Sequence, residues 1–360
     1  MVKKIGKSIL ILLLALLLLV GGYVLYVVLD YHRLEDNLEV EVTDTQTDIV
    51  ETDVEYDLLS FNIGFGAYER DFGFFMDGGT ESWAWSEERL DKNLSQISQL
   101  LLEKDADFYC LQEVDRDSTR SYHVDEYAHI MDVMFGAWDS SWTQNYDSPF
   151  LFYPIFQPHG KSVSGLATLS EYHVDSVLRR SLPVEKGFMK FLDLDRCYSV
   201  SHIPMDNCKE LVLYNAHLSA YSSDGSIATE QLVLLLEDMQ QEAEKGNYVI
   251  CAGDFNKDLL GDSSQYFGVS GEEFTWAQSF PFEMIPEELE LVVPFDEEDS
   301  LPTCRNADGP YDPEKSFVLT IDGFIVSDNV EVNHVGVVDT QFAYSDHNPV
   351  EMTFVLKGEE

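Results

Sequence analysis

Basic residues are scarce in this chain: 22 Lys and Arg stand against 66 Asp and Glu, a formal net charge of -44 over 360 residues. Lys3, Lys4 and Lys7 are the only basic residues before position 30, so the remainder is more acidic still. A field of that sign repels polyanions, whereas proteins that hold long nucleic acids ordinarily carry a basic stripe that displaces counterions from phosphates. Long DNA is therefore a poor expected substrate. Cysteine is also sparse. Cys110, Cys197, Cys208, Cys251 and Cys304 form no CxxC pair, which argues against a disulfide framework and against zinc or dithiol chemistry. Cys110 and Cys251 lie in apolar, strand-like runs and read as core residues, while Cys197, Cys208 and Cys304 leave room for one disulfide in an oxidising compartment. No internal repeat is present, and no serine or cysteine nucleophile motif accompanies the polar residues singled out below. What is present is enough apolar material, 45% hydrophobic and 12% aromatic, to bury a large core as one large domain or two ordinary ones.

Charge is wholly missing from the 21 residues Ile9 to Leu29. As a helix that run extends about 31 Å, close to the hydrocarbon thickness of a bilayer. A cleaved signal peptide has a shorter apolar stretch and a small-residue cleavage site, and the exit through Val27, Val28, Leu29 and Asp30 offers neither. The expectation is an uncleaved transmembrane anchor spanning 9–29. Lysines precede it and none follows closely, so the positive-inside tendency puts a tail of residues 1–8 in the cytoplasm and the remainder outside, as a single-pass protein of the cell membrane. Residues 30–53, rich in Asp, Glu and Thr, read as an acidic, solvated tether, and 54–360 as the catalytic domain.

Beyond the tether, strand-like runs outnumber helices. Val54 to Asn62 is the first; Glu87 to Lys104 then repeats Leu90, Leu94, Ile97 and Leu101 at helical spacing, and Asp107 to Gln112 reads as a buried strand. Strands follow without helical interruption over Ser164 to Leu169, His173 to Arg180, Gly187 to Leu192, Cys197 to Ile203 and Leu211 to Ala216, the last two joined as a hairpin. Ile227 to Lys245 is a helix ended by Gly246 and Asn247, Tyr248 to Ala252 is a strand, and Val318 to Val326 and Val350 to Leu356 close the chain. This order rules out purely parallel winding and predicts an α+β domain of two packed sheets with helices outside. The acidic, weakly periodic segment from Gly261 to Pro313 is expected to form a long insertion or set of loops.

Polar residues at the ends of apolar strands are the places to seek chemistry, since strands fix positions while the loops beyond them stay accessible. They are Asn62 in SFNIG, Glu113 in YCLQEVD, His217 in LYNAHLSAY, Asp254 and Asn256 in VICAGDFNKD, Asp322 in LTIDGFIVSDN, and Asp346 with His347 in SDHNPVEM. Singly, an Asp or Asn after a strand more often makes a turn. Four carboxylates gathered in one cleft, however, cannot all stay ionised without a cation, and oxygen donors without a Cys or His cluster suit Mg2+ or Mn2+ better than zinc.

Together and in this order, with LQEVD, GDFN and SDHNPV as the most specific pieces, these motifs resemble the endonuclease/exonuclease/phosphatase superfamily from about Val54 to Leu356. The resemblance implies a four-layered α/β sandwich of the DNase I type, two packed mixed sheets with the active site at one edge, here preceded by one transmembrane helix. It implies Glu113 as the principal metal ligand, with Asn62 and Asp346 beside it. Asp254 would orient or deprotonate the attacking water, Asn256 and His217 would donate to phosphate oxygens, His347 would serve proton transfer or phosphate stabilisation, and Asp322 would hold one of the two histidines in its useful tautomer. Tyr221 and Lys257, by contrast, read as structural. A cluster of basic residues, Lys161, Arg179, Arg180, Lys186, Lys190, Arg196 and Lys209, offers a possible anion-facing wall in an acidic chain. The leading expectation is a divalent-metal phosphodiesterase or phosphatase acting by direct attack of water on a lipid-linked or small phosphorylated substrate. An extracellular nuclease and a catalytically silent surface-binding module of the same fold are the alternatives.

Overall fold

Residues 2–43, 45–134, 138–184, 190, 195–220, 226–271, 276–298 and 300–358 are described by the computed structural model. Helix α1 (Val2–Asp30) precedes strands β1 (Leu38–Val40), β2 (Val42–Thr43) and β3 (Glu55–Asn62). Next come α2 (Glu87–Lys104), β4 (Phe108–Asp115), α3 (Glu126–Val133) and β5 (Asp139–Asp147). The strands β6 (Val163–Ser170), β7 (Ser176–Ser181), β8 (Cys197–Pro204) and β9 (Glu210–His217) lead to α4 (Ser226–Glu244) and β10 (Tyr248–Asp254). The remaining strands are β11 (Leu289–Val292), β12 (Cys304–Arg305), β13 (Val318–Leu319), β14 (Asp322–Ser327), β15 (Val330–Val337) and β16 (Val350–Leu356).

One seven-stranded sheet has the order β1-β7-β8-β9-β10-β14-β11 and the other β15-β16-β3-β4-β6-β5-β2. Each is mixed: β9 and β10 pair in parallel in the first, β3 and β4 in the second, among antiparallel neighbours. Successive strand residues point to opposite faces, so a strand apolar on both sides must be covered on both. Along β10, Tyr248, Ile250 and Ala252 enter the core between the sheets, while Val249 and Cys251 pack with Leu232, Leu235, Leu236 and Met239 of α4. Along β3, Leu58 joins the same inter-sheet core and Leu59 faces Leu90, Leu94, Ile97 and Leu101 of α2. Four layers result, the α+β sandwich expected from the element order.

Helix α2 forms where the spacing predicts it. Ser86 caps its start by accepting from the Arg89 amide at 3.2 Å, and Asp105 in a left-handed conformation ends it. Two amides tie the sheets together across the apolar core. Gln112 Nε2 donates to Asn215 Oδ1 at 2.9 Å, and Asn215 Nδ2 donates to the carbonyls of Ala167 at 3.0 Å and Leu111 at 3.2 Å.

The acidic stretch before β3 departs from the expected free tether. Its strand β1 pairs with β7 at the edge of one sheet, β2 pairs with β5 at the edge of the other, Val50 is fully buried, and Asp139 accepts from the Thr45 and Gln46 amides. Edge pairing uses backbone groups, which a polar sequence supplies as well as an apolar one. β5 forms from sequence too polar to announce a strand, β15 is a further strand outside those expected, and the run expected from Val318 to Val326 breaks into β13 and β14. The expected strand from Gly187 to Leu192 lies, apart from Lys190, outside the described residues, as does Tyr221. All five cysteines are free, with Cys110 and Cys251 in the core and Cys208 exposed. Helix α1 contains a segment, Lys4–Asp30, long and apolar enough to cross a membrane.

Replacing Asn215 by Leu should lower the unfolding free energy by about 2–3 kcal/mol, because the Gln112 amide and the two carbonyls lose a buried partner together. Urea denaturation of the detergent-solubilised full chain measures this. A change within about 0.5 kcal/mol, the range of ordinary surface substitutions, would remove the amide bridge from the account.

Candidate active site

Strand β10 delivers Asp254 at its last position, and Gly253 makes that delivery possible. Its φ is +155°, and a Cβ there would fall 2.0 Å from the Ala216 carbonyl oxygen of β9. The Asp254 carboxylate is then held from several directions. Its Oδ1 accepts from the Asn256 backbone N–H at 2.8 Å, and its Oδ2 accepts from Asn62 Nδ2 at 3.0 Å. His217 Nε2, across the β9–β10 pair, lies 3.5 Å from Oδ2, and His347 Nε2 lies 3.8 Å from it. Asn256 adopts a left-handed φ of 50°, which Asn tolerates better than most residues, and its side chain donates to the Leu218 carbonyl at 2.8 Å. Asn62 accepts from the Gly64 amide through Oδ1, so both of its polar ends are engaged.

Asp322 meets His347 and not His217: its Oδ2 lies 2.9 Å from His347 Nδ1. This pairing leaves Nε2 of His347 facing Asp254, with the Cys304 thiol 3.6 Å away. Burial alone would lower the His347 proton affinity, but the Asp322 charge and hydrogen bond lift it well above the ordinary histidine value. Burial pushes Asp254 up to about 7, with the His347 charge opposing the rise and the Asp322 charge adding to it. His217 moves the other way: burial, assisted by the positive charge of Arg196, holds it well below 6.5, and its Nδ1 is buried without a hydrogen-bond partner among the described residues.

Glu113 reaches the site through a bulge. The β4–β6 register shifts between Leu111 and Val114, and Glu113 takes φ 55°, turning its side chain out of the ladder. Arg120 sits 3.7 Å from Glu113 Oε2, is anchored bidentately on Asp115 at 2.9 and 3.0 Å, and lies 3.8 Å over the Phe65 ring. Asp346 precedes His347 on a loop fastened to the end of β3 by Ser345, whose hydroxyl donates to the Asn62 carbonyl at 2.7 Å. Burial pushes the Asp346 carboxyl up to about 6; the charges of His347 and Arg305 oppose that rise and the charge of Glu113 adds to it.

Two groups of side chains could hold a cation. Asp254, Asp322 and His347 bring ligand-type atoms within 4.8 Å of one another, but the hydrogen bond between Asp322 and His347 occupies Nδ1 and suits a proton carrier better. Glu113, Asp346 and Asn62 supply oxygens only, and the mutual repulsion of the two carboxylates is what a hard divalent ion relieves. The residues fit such an ion.

The sequence model described as Endonuclease/Exonuclease/phosphatase family matches residues 59–347. The chain belongs to this family. It is thereby a hydrolase of phosphate esters, and every one of the residues discussed above lies inside the matched span. No curated protein matches in sequence. Among solved structures, the endonuclease/exonuclease/phosphatase of Beutenbergia cavernae DSM 12333 is similar at 16% identity and TM-score 0.57, covering 84% of this chain and 72% of that one. ANGEL2, described as a 2′,3′-cyclic phosphatase, is similar at 14% identity and TM-score 0.54, covering 91% of this chain and 100% of its own. The family protein of Bacteroides vulgatus gives 13% identity and TM-score 0.52, over 84% and 100% of the two chains. At these identities the likeness speaks for the DNase I-like fold alone.

Arg120, Cys304 and Arg305 border the site without any motif to announce them. Arg305 is buried inside a segment expected to be loops, where its guanidinium donates to the carbonyls of Glu69, Asn306 and Gly309 at 3.0 to 3.3 Å. Of the expected basic wall, Arg196 comes near enough to His217 to act on its charge, but the wall does not assemble as a whole. Arg179 is buried against the carbonyls of Gln144 and Asp195, Arg180 pairs with Asp36 and Asp238, and Lys186 lies outside the described residues. Lys257 donates to Gln278 at 3.2 Å.

The two histidines should separate in an NMR titration of the imidazole nitrogens. His347 should keep its proton above pH 6.5 and His217 should stay neutral well below it, and Asp322→Asn should bring His347 down. Because His347 binds its proton more tightly when folded, its contribution to stability is full below about pH 6.5 and is lost as pH rises through the folded value. Two histidines titrating together, unchanged by Asp322→Asn, would contradict this electrostatic arrangement.

Proposed function

We propose that this chain is a membrane-anchored, divalent-metal-dependent phosphodiesterase or phosphatase that uses direct attack of water on a lipid-linked or small phosphorylated substrate. The observation that carries the proposal is the convergence of Asn62, Asn256, His217 and His347 on the buried Asp254 carboxylate. Asp254, with a proton affinity near neutrality, orients a water molecule and takes its proton as the new P–O bond forms. His347, held by Asp322, returns a proton to the leaving oxygen or stabilises phosphate charge, and Asn256 and neutral His217 donate to phosphate oxygens. Glu113, Asp346 and Asn62 would hold Mg2+ or Mn2+. Such an ion, when bound, neutralises charge building on a phosphate oxygen. Fixed donors of this kind are worth about 10² to 10³ in rate apiece.

The substrate class rests on charge and on α1. A net charge of -44 disfavours long polyanions, and a helix able to span a bilayer keeps the cleft near lipid, with the N-terminus cytoplasmic and the catalytic domain outside. The likeness to ANGEL2, a 2′,3′-cyclic phosphatase, favours a second reading in which a small cyclic nucleotide phosphate is cleaved.

The full chain should be assayed with Mg2+, Mn2+ or chelator against bis-nitrophenyl phosphate, nitrophenyl phosphate, a 2′,3′-cyclic nucleotide, sphingomyelin, inositol phosphates and plasmid DNA. Metal-dependent turnover is expected, with phospholipid headgroup released faster than plasmid is cut at physiological salt. Asp254→Asn should cut turnover by a factor on the order of 10² or more while the protein stays folded. Turnover indifferent to chelator, or untouched by Asp254→Asn, would overturn the mechanism, and faster cleavage of plasmid would overturn the substrate class.

A further inference from the structure

Between β5 and β6 the chain reads Phe150-Leu151-Phe152-Tyr153-Pro154-Ile155-Phe156, and its tip stands in solvent. Phe152, Tyr153, Ile155 and Phe156 are 60%, 68%, 77% and 102% exposed. Large apolar side chains clustered like this on an acidic surface mark a binding face. The loop is firmly rooted behind that tip. Leu151 and Gly160 pair across its base, Ser82 Oγ donates to the Gln157 carbonyl at 2.6 Å, and Trp83 Nε1 donates to the Pro158 carbonyl at 2.7 Å. The backbone thus holds these side chains outward, Phe152 and Tyr153 meeting Tyr23 and Phe75 on one side and Ile155 and Phe156 the most exposed.

What lies next to the tip identifies its occupant. The Tyr23 hydroxyl of α1 donates to the Phe150 carbonyl at 3.0 Å, the Phe150 amide donates to the Tyr26 hydroxyl at 3.0 Å, and the Tyr23 and Phe152 rings meet edge-on at 5.3 Å. Within the expected span of residues 9–29, Tyr23 and Tyr26 lie about 9 Å and about 5 Å inside its outer end, at the depth of the outer leaflet. The loop tip is bonded to the helix at that level.

We propose that the 152–156 loop inserts into the outer leaflet beside α1 as a second membrane contact. This rests on the reading of α1 as a transmembrane anchor. A single helix allows the catalytic domain to swivel; two contacts set its orientation. The same loop leads back to the site, for Lys161 N donates to Thr119 Oγ1 at 3.1 Å and the next residue, Arg120, stands beside Glu113. Insertion would hold the Glu113 side of the cleft over the headgroup layer, where a lipid-linked phosphate could enter without leaving the bilayer.

Site-directed spin labelling of the full chain in phosphatidylcholine nanodiscs tests this. Cys208→Ser removes the exposed thiol, and single cysteines are then placed by Phe156→Cys, by Leu14→Cys within α1, and by Lys245→Cys on the exposed surface. Collision with a water-soluble nickel complex should be lost at positions 14 and 156 but kept at 245, with dissolved oxygen reaching both protected labels. Nickel access at 156 equal to that at 245, with 14 protected, would overturn the inserted loop and leave the anchor standing. Nickel access at 14 would overturn the anchor and the insertion with it. Dipolar broadening between labels at 156, without oxygen access, would mean that a second copy covers the loop and would also overturn the proposal.

Discussion

The rest of the site depends on a carboxylate that the fold has taken out of water. Asp254 is buried at the seam between two sheets, where a bare charge would cost several kcal/mol without compensating partners. Asn62 comes to it from the opposite sheet, Asn256 curls back on it through a left-handed turn, and two histidines from neighbouring strands and loops present their Nε2 atoms. The Gly253 approach to β9 and the Ser345 contact to β3 serve the same end, since each fixes a loop that carries one of these groups. Burial lowers the proton affinity of both histidines; the charge of Arg196 adds to that at His217, while the charge and hydrogen bond of Asp322 overturn it at His347. Two imidazoles of the same chemistry thereby acquire different charges.

Much of this was legible in the sequence, because the relevant strands are apolar on both faces and end on a polar residue. β10 and β9 are examples, and α2 announced itself by four apolar residues at helical spacing. The edges were not legible. β1 and β2 are two or three residues long and pair through backbone groups at the sheet edges, and β5 is largely polar, so an acidic segment that resembles a tether becomes part of both sheets. Arg120 and Arg305 were missed for a related reason. Each is covered by groups distant in sequence, the Phe65 ring in one case and carbonyls near residue 69 in the other, and spacing carries no trace of such contacts. The partner of Asp322 likewise became decidable only from distances.

Acidity and the membrane anchoring we propose bear on the site jointly. A chain with 66 acids around a cleft that must receive phosphate needs its local positive charge to be built in, and Arg120, Arg196, Arg305 and the His347 proton provide it inside an otherwise repelling field. Substrates delivered within the plane of a membrane avoid the long-range part of that repulsion, whereas long polyanions in solution meet it fully.

We propose that Glu113 and Asp346, with Asn62, form the seat of one divalent ion. Electron paramagnetic resonance of Mn2+ added to the chelator-stripped full chain reads this without reference to turnover. One tightly bound ion is expected in the native chain and its loss in Glu113→Gln, above a background of weak surface sites that both share. Equal tight binding in the two proteins, or none in either, would contradict the account.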